Sequence, residues 1–392
     1  MKKSFLLITE ETIPPVQRFS LTERLAEVLS EIPDVKVHLV AVGANQKPGT
    51  GKVYFHGITI RNWSLFNLIK RAEANLKLLA SAIWTVRKYR VSFIHGWWPI
   101  AFLTAKLTGR PYAVDMPEFI EEMYRSFNQP FYKIVRLILR RFQLTVATGS
   151  RLVIVESQLA ADEWHRRKKT LDATRIQVIP YGVDTEFFLK GEGQSIRQRF
   201  GLSKDEIIVV YHGDIGYDDG VDVLLEAAKD LPLIVAIVGE GPRSLMNRLR
   251  KMAGPGTIFT GWLPYLQMPS VLSAADICCA PFRSTRYTNT TFPLKIMESM
   301  AAGRATVCSR ITALASVVKD RQEVFLVKPG DVTALRGALL ELAHDSQLRQ
   351  KISQAGQARA FAIFDWRLRT SKETAILINL ANPSAGIRWE KR

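Results

Sequence analysis

Short apolar runs rich in β-branched residues alternate along this chain with longer runs whose apolar positions recur every three or four residues. "SFLLIT" and "VKVHLVAVG" have the strand pattern, and "SLTERLAEVLSEI" between them has the helix pattern. Ser20 is placed to cap that helix, with Glu23 three residues on at capping-box spacing. "LFNLIKRAEANLKLLASAIWTVRKY" predicts a long helix with a basic outer face, and "VSFIHG", "YAVDM" and "RLVIVES" predict buried strands. Alternation of this kind predicts a parallel, doubly wound sheet.

Pro180 and Gly182, in "VIPYGVDTEFF", interrupt the alternation and place a domain boundary near residue 185. A second series follows: "EIIVVYHG", "VDVLLEAAKDL", "LIVAIVGEG", "RSLMNRLRKMA", "TIFTG", "MPSVLSAA", "DICCAPF", "ATVCS" and "VFLVKPGD". Two α/β domains are therefore expected, residues 1–185 and 186–369. A chain of 392 residues exceeds what one compact core accommodates. Ligands of open α/β sheets bind outside the strand C-termini, so a cleft between two such domains is the expected site.

Charge changes the picture next. The chain has 54 Lys+Arg against 37 Asp+Glu, net +17, which favours an anionic partner. Residues 1–185 hold 27 basic and 16 acidic side chains, and the remainder 27 and 21, so the excess sits mainly in the first half. "FYKIVRLILRRFQL" is cationic and amphipathic, and "WHRRKKT" adds a basic cluster at Arg166–Lys169. These read either as solvated basic faces or as contacts to an anionic lipid surface. No nucleic-acid motif accompanies them, and no nucleic-acid partner is expected. Cys278, Cys279 and Cys308 do not have zinc-knuckle spacing and read as reduced core residues of a cytoplasmic protein. No run approaches a transmembrane length, and "MKKSFLLITEE" reads as a first strand rather than a signal peptide. The histidines show no metal-ligand spacing, no Ser-His-Asp constellation or nucleophile elbow is present, and neither metal nor cofactor is expected.

The segment "TNTTFPLKIMESMAAGRATVCS" predicts a helix capped by Thr290 or Thr291, with Pro293 in its first turn and Gly303 at its end, then a strand. Leu294, Met297 and Ala301 share the face expected to pack on the sheet. Glu298 lies beside that face and leans toward the helix N-terminus, where anionic ligands collect. The alternative is a surface pair with Lys295 at i, i+3.

"VIPYGVDTEFF", "VVYHGDIGYDDGVDVLLEA", "IVGEGP", "FTGWLP", "AADICCAPF", "FPLKIMESMAAGRATV" and "VKPGDVTALRGALLEL" occur in this order. Together they resemble the retaining family-4 glycosyltransferases of the GT-B fold. "VSFIHGWWPIAFLTAKLTGRPYAVD" looks like that family's central strand–helix–strand. The resemblance implies two facing Rossmann-like domains, a nucleotide sugar lying across the second, and a tail of about residues 370–392 packing back on the first. It also implies that Glu298 accepts hydrogen bonds from the ribose hydroxyls, since a carboxylate offers two oxygens to a vicinal diol.

This chain departs from the family pattern in three places. Thr290 stands where a second glutamate contacts the donor sugar. Asp214 and Asp219 stand where Arg and Lys grip the diphosphate. "YAVDMPEF" offers Asp115 and Glu118 where the family often has a histidine. Replacement charge for the diphosphate is sought in Lys295, Arg283 and Arg286.

The resulting donor-binding expectation comprises Gly213, Asp214, Gly216, Gly239, Gly241, Trp262, Arg283, Arg286, Asn289, Thr290, Thr291, Phe292, Pro293, Leu294 and Glu298. The glycines suit close phosphate approach or are simple turn residues. Trp262 stacks on a base or forms a rim. Asp115, Glu118 and Lys295 are the catalytic candidates. His95, Trp97 and Trp98 form a candidate acceptor wall, His95 having a structural alternative. The expected reaction is transfer of a sugar from a UDP- or GDP-linked donor to a glycan or lipid-linked acceptor, with retention. It belongs to cell-surface polysaccharide or glycoconjugate synthesis at the inner face of the plasma membrane. The alternative is a non-catalytic GT-B partner subunit that has lost its diphosphate grip.

Overall fold

The computed structural model describes residues 3–12, 20–42, 52–58, 68–116, 119, 121–122, 130–203 and 205–381. The chain divides into two compact units, Met1–Pro180 with Arg367–Arg392, and Tyr181–Trp366. Each is a Rossmann-like parallel sheet with helices packed on it.

The first unit carries β1 (Lys3–Thr12), β2 (Val35–Val42), β3 (Val53–Ile58), β4 (Phe93–Trp97), β5 (Tyr112–Asp115), β6 (Leu152–Val155) and β7 (Ile176–Val178). They lie side by side in the order β3-β2-β1-β4-β5-β6-β7, each neighbouring pair parallel. Alternate strand residues feed opposite cores. Phe5 and Leu7 join one cluster, and Leu6 and Ile8 the other. A strand covered on both faces must be apolar at consecutive positions, which is why these strands read as continuous runs.

The helix Leu21–Ser30 begins as its capping pattern predicts, with the Ser20 hydroxyl accepting from the Glu23 N–H at 3.3 Å. The helix Trp366–Leu380 sends Ile376, Leu377 and Leu380 into the cluster that holds Phe5, Leu7 and Phe93.

The second unit carries β8 (Ile208–His212), β9 (Ile234–Val238), β10 (Thr257–Gly261), β11 (Ile277–Ala280), β12 (Ala305–Ser309) and β13 (Phe325–Val327). The order is β10-β9-β8-β11-β12-β13, again parallel throughout. Ile208 and Val210 face one core and Val209 and Tyr211 the other. Chain order reverses between β8 and β11, the switch point where open α/β sheets take ligands.

Two local expectations need correction. The segment around residue 290 is not one capped helix. A short helix Arg286–Thr290, capped by Thr285, precedes the helix Leu294–Ala301, whose cap is Pro293. Pro293 has no N–H to continue a helix, and the residue before a proline avoids the helical region. Arg167, part of the basic cluster expected to be exposed, instead has a side chain only 5% exposed. It pairs with Glu121, with Glu163 at 2.6 Å and with Glu122 at 3.5 Å, and its guanidinium lies over the Phe119 ring. Among the described residues no helix is long and apolar enough to cross a membrane.

Candidate functional site

Three segments meet at the C-terminal end of β8 and β11. They are the loop Gly213–Gly220 after β8, the turn after β11 that holds Phe282 and Arg283, and the helix Leu294–Ala301. The loop is pinned to its neighbour by backbone bonds from Gly213 N–H to the Val238 carbonyl and from Ile215 N–H to the Glu240 carbonyl, both 2.9 Å. Gly213 and Gly239 both have positive φ, and a Cβ at Gly239 would stand 1.9 Å from the Gly213 carbonyl. These glycines therefore serve a close approach of two backbone segments that no side chain permits. The same holds for Gly241, whose Cβ would lie 2.1 Å from the Ile215 carbonyl.

Glu298 points into this junction and is 8% exposed. Its Oε1 accepts from the Tyr265 hydroxyl at 3.0 Å, and its Oε2 lies 3.6 Å from His212 Nδ1. Tyr265 is itself fixed by stacking on Phe187. His212 Nε2 faces the Lys295 carbonyl at 3.1 Å, and because a carbonyl only accepts, that nitrogen carries the hydrogen. Burial, and then the Lys295 charge, lower the imidazole pKa to about 3, so His212 is neutral near pH 7. The glutamate is thus oriented by the Tyr265 hydroxyl, with the uncharged imidazole beside it.

Lys295 does not pair with Glu298. Its ammonium lies 2.5 Å from Asp219 Oδ1, 2.6 Å from the Tyr211 hydroxyl oxygen and 3.3 Å from the Asp214 carbonyl, with the Tyr211 and Phe282 rings beneath it. Asp219 Oδ2 in turn accepts from the Gly216 N–H at 2.8 Å, so one carboxylate ties the loop and the helix together. Burial, and next the Asp219 charge, push the Tyr211 phenol well above its usual range. Arg283 binds Asp222 at 2.6 Å, and Arg248 shares that carboxylate at 2.8 Å.

The remaining donor-side candidates fall as follows. Trp262 follows β10 and is 56% exposed, and Arg286 opens the short helix on the surface. The Asn289 amide donates to the Thr285 carbonyl at 2.8 Å, while its oxygen accepts from Thr312 N–H at 2.9 Å. The Thr290 and Thr291 hydroxyls are buried and bond back to carbonyls of their own helix, at Arg286 and Tyr287. Phe292 is core, and Pro293 and Leu294 are half-buried at the helix start.

In the first unit, His95 is 2% exposed, with Nε2 at 2.6 Å from Glu373 Oε1 and Nδ1 at 3.3 Å from the Ala113 carbonyl. Asp115, at the end of β5, pairs through Oδ2 with Arg369, while its Oδ1 is buried without a partner. Burial raises the Asp115 pKa, against the opposing charge of Arg369. Trp97 caps the helix Trp98–Thr108, and Trp98 sits in the core beside Phe142. Glu118 lies outside the described residues. Tyr265, Tyr211, His212, Arg369 and Glu373 are the partners that sequence reading passed over. No short-range spacing links them to Glu298, Lys295, Asp115 or His95.

The helix Pro130–Gly149 buries only Gln143, Val146 and Ala147. Phe131 (68%), Ile134 (60%), Leu137 (51%) and Ile138 (60%) are exposed beside exposed Lys133, Arg140 and Arg141. Among the described residues no group of three or more His, Cys, Asp or Glu side chains is arranged to hold a metal.

Two family models match the chain, "Glycosyltransferase Family 4" over residues 20–187 and "Glycosyl transferases group 1" over residues 206–345. The chain belongs to this glycosyltransferase family, and its two units have the GT-B domain fold. Among curated proteins it is similar to the D-inositol 3-phosphate glycosyltransferase of Acidothermus cellulolyticus, 27% identical over 237 residues, 55% of this chain. The match spans about half (51%) of that relative's length. Among solved structures it is similar to sucrose-phosphate synthase of Thermosynechococcus elongatus, with TM-score 0.78 and 19% identity over 96% of this chain and 99% of that one. It is also similar to HepE of Anabaena, solved in complex with UDP-glucose, with TM-score 0.72 and 16% identity over 96% and 99%.

Proposed function

We propose that this chain is a retaining glycosyltransferase that moves a sugar from a UDP- or GDP-linked donor to a hydroxyl of a glycan or lipid-linked acceptor. The observation that carries the reading is Glu298. It is a nearly buried carboxylate at the switch point of the second sheet, oriented by the Tyr265 hydroxyl beside an uncharged imidazole. Two carboxylate oxygens suit a ribose diol, and the sugar then lies toward the 288–293 segment. Lys295 is the cation nearest the charge that grows on the leaving phosphate during transfer, and in the resting site it is held by Asp219. Asp115 or Glu118 is the carboxylate assigned to the reacting centre. The reading requires no protein-bound metal.

The exposed apolar side chains of the helix Pro130–Gly149, flanked by Lys133, Arg140 and Arg141, support a peripheral position on an anionic membrane surface. The inner face of the plasma membrane, where lipid-linked acceptors of surface polysaccharide are built, fits that chemistry.

A second reading, a GT-B partner subunit without activity, is favoured by one observation: Lys295 is already paired with Asp219. Calorimetry and a released-nucleotide assay over a panel of UDP- and GDP-sugars separate the two. Binding with transfer or slow donor hydrolysis supports the enzyme. Silence across the whole panel sinks it.

A further inference from the structure

An ammonium group has three hydrogens to donate. Those of Lys295 face three acceptors of the protein itself: Asp219 Oδ1 at 2.5 Å, the Tyr211 oxygen at 2.6 Å and the Asp214 carbonyl at 3.3 Å. Both members of the ion pair are largely shielded, with side chains 14% and 18% exposed. A tethered carboxylate loses no translational freedom when it binds the lysine, whereas an incoming phosphate does. Asp219 is also held from its other side by the Gly216 N–H, so it does not swing away freely. Were a phosphate to displace it, the unpaired carboxylate would remain beside the new anion and repel it. Arg283, another of the three candidate cations, is likewise matched by Asp222.

The geometry points to Asp219 as the specificity-determining residue of this site. By saturating Lys295 it makes the site hold its donor through the nucleoside and sugar, with no gain in affinity from a second phosphate. The ligand class is then a nucleotide-activated sugar for which phosphate charge is not the handle. This rests on the donor-site reading of the second unit.

Calorimetric titration of the full chain with uridine, UMP and UDP, and with guanosine, GMP and GDP, tests it. For whichever base binds, the wild type is expected to hold the mono- and diphosphate within about 3-fold of each other, with little salt dependence. Asp219→Asn frees the lysine and is expected to bind the diphosphate at least about 10-fold more tightly than the monophosphate, with marked salt dependence. A wild-type preference of about 10-fold or more for the diphosphate overturns the inference without any variant. So does an Asp219→Asn protein that melts like the wild type and shows no diphosphate gain. If neither protein binds any nucleoside or nucleotide of either series, the donor-site reading fails and the inference falls with it. That outcome is distinct from nucleoside binding with the wrong phosphate dependence.

Discussion

His95 Nε2 and Glu373 Oε1 lie 2.6 Å apart across a separation of 278 positions, fastening β4 to the helix Trp366–Leu380. The contact is one link of a buried chain. Glu373 Oε2 lies 3.4 Å from Arg369, which also pairs with Asp115 and donates to the Ile179 carbonyl at 2.8 Å. Despite its burial, Glu373 is kept ionised by Arg369 and His95, which hold its pKa below the usual carboxylate value.

Removing one member of such a network strands the others. Glu373→Leu leaves Arg369 with Asp115 alone and takes the carboxylate from His95 Nε2 in a dry site, a change that typically costs about 3–5 kcal/mol. The expected outcome is a fall in melting temperature on the order of 10 °C for the transition that includes the first unit. A drop of about 1 °C, measured by calorimetry, would show that the network contributes little.

The His38–His56 pair makes the stability of the first unit depend on pH. His38 Nδ1 lies 3.2 Å from His56 Nε2. Burial, then the His56 and Lys36 charges, lower the His38 pKa to about 4. An unfolded histidine titrates near 6.5, so between about pH 4 and 6.5 the unfolded chain binds more protons. Stability is therefore full above about pH 6.5 and declines as pH falls toward 4. From pH 7 to pH 5 the His38 share is about 2 kcal/mol. Chemical denaturation at both pH values should show a smaller loss in His38→Leu than in the wild type. Equal losses in the two proteins would remove His38 from the account.

Glu298→Ala deletes the carboxylate assigned to the ribose while leaving Tyr265 and His212 in place. Hydrogen bonds to a charged acceptor contribute about 1.5–3 kcal/mol each, so nucleoside affinity should fall at least about 10-fold. Tyr265→Phe removes only the bond that orients Oε1 and should weaken binding by about 3- to 10-fold, matching about 1 kcal/mol. Wild-type affinity in Glu298→Ala, read by calorimetry with the same nucleosides, would end the ribose assignment.

How much of this was legible in the chain depends on the range of the interaction. Strands such as Ile208–His212 and Ile277–Ala280 are covered on both faces, so their residues are apolar in unbroken runs that a local reading detects. The Ser20 cap is encoded within four residues and is equally readable. Glu298 was legible as a carboxylate beside an apolar helix face. Its brace was not, because Tyr265 lies 33 positions earlier and nothing local ties the two. The partner of Lys295 is not legible either, because Asp219 lies 76 positions away. Arg167 was read as exposed for the same reason, since Glu121 reaches it only through the fold. Charge pairing over long separations sets the electrostatics here, and it is the part of a fold that composition and periodicity do not carry.

The helix Pro130–Gly149 yields the last prediction. Phe131, Ile134 and Ile138 recur at helical spacing and stand together on one exposed face, with Leu137 beside them. Lys133 and Arg140 lie toward the opposite side, so a helix seated in a bilayer interface would bury the apolar stripe and leave the cations at headgroup level. Burying one such side chain is worth about 1.5–3 kcal/mol, and each basic residue near an anionic surface adds about 1 kcal/mol. The double variant Ile134→Glu with Ile138→Glu loses two apolar anchors and adds two charges of the sign the surface repels. It should lose nearly all sedimentation with vesicles containing phosphatidylserine. A charge-only variant, Arg140→Gln with Arg141→Gln, should bind more weakly and lose its salt dependence. Neither substitution touches the buried Gln143, Val146 or Ala147, so both proteins should melt as the wild type does. Wild-type vesicle binding in the double glutamate variant would remove this helix as the membrane contact. Binding by the wild type that is equal on neutral and anionic vesicles would remove the electrostatic half of the argument.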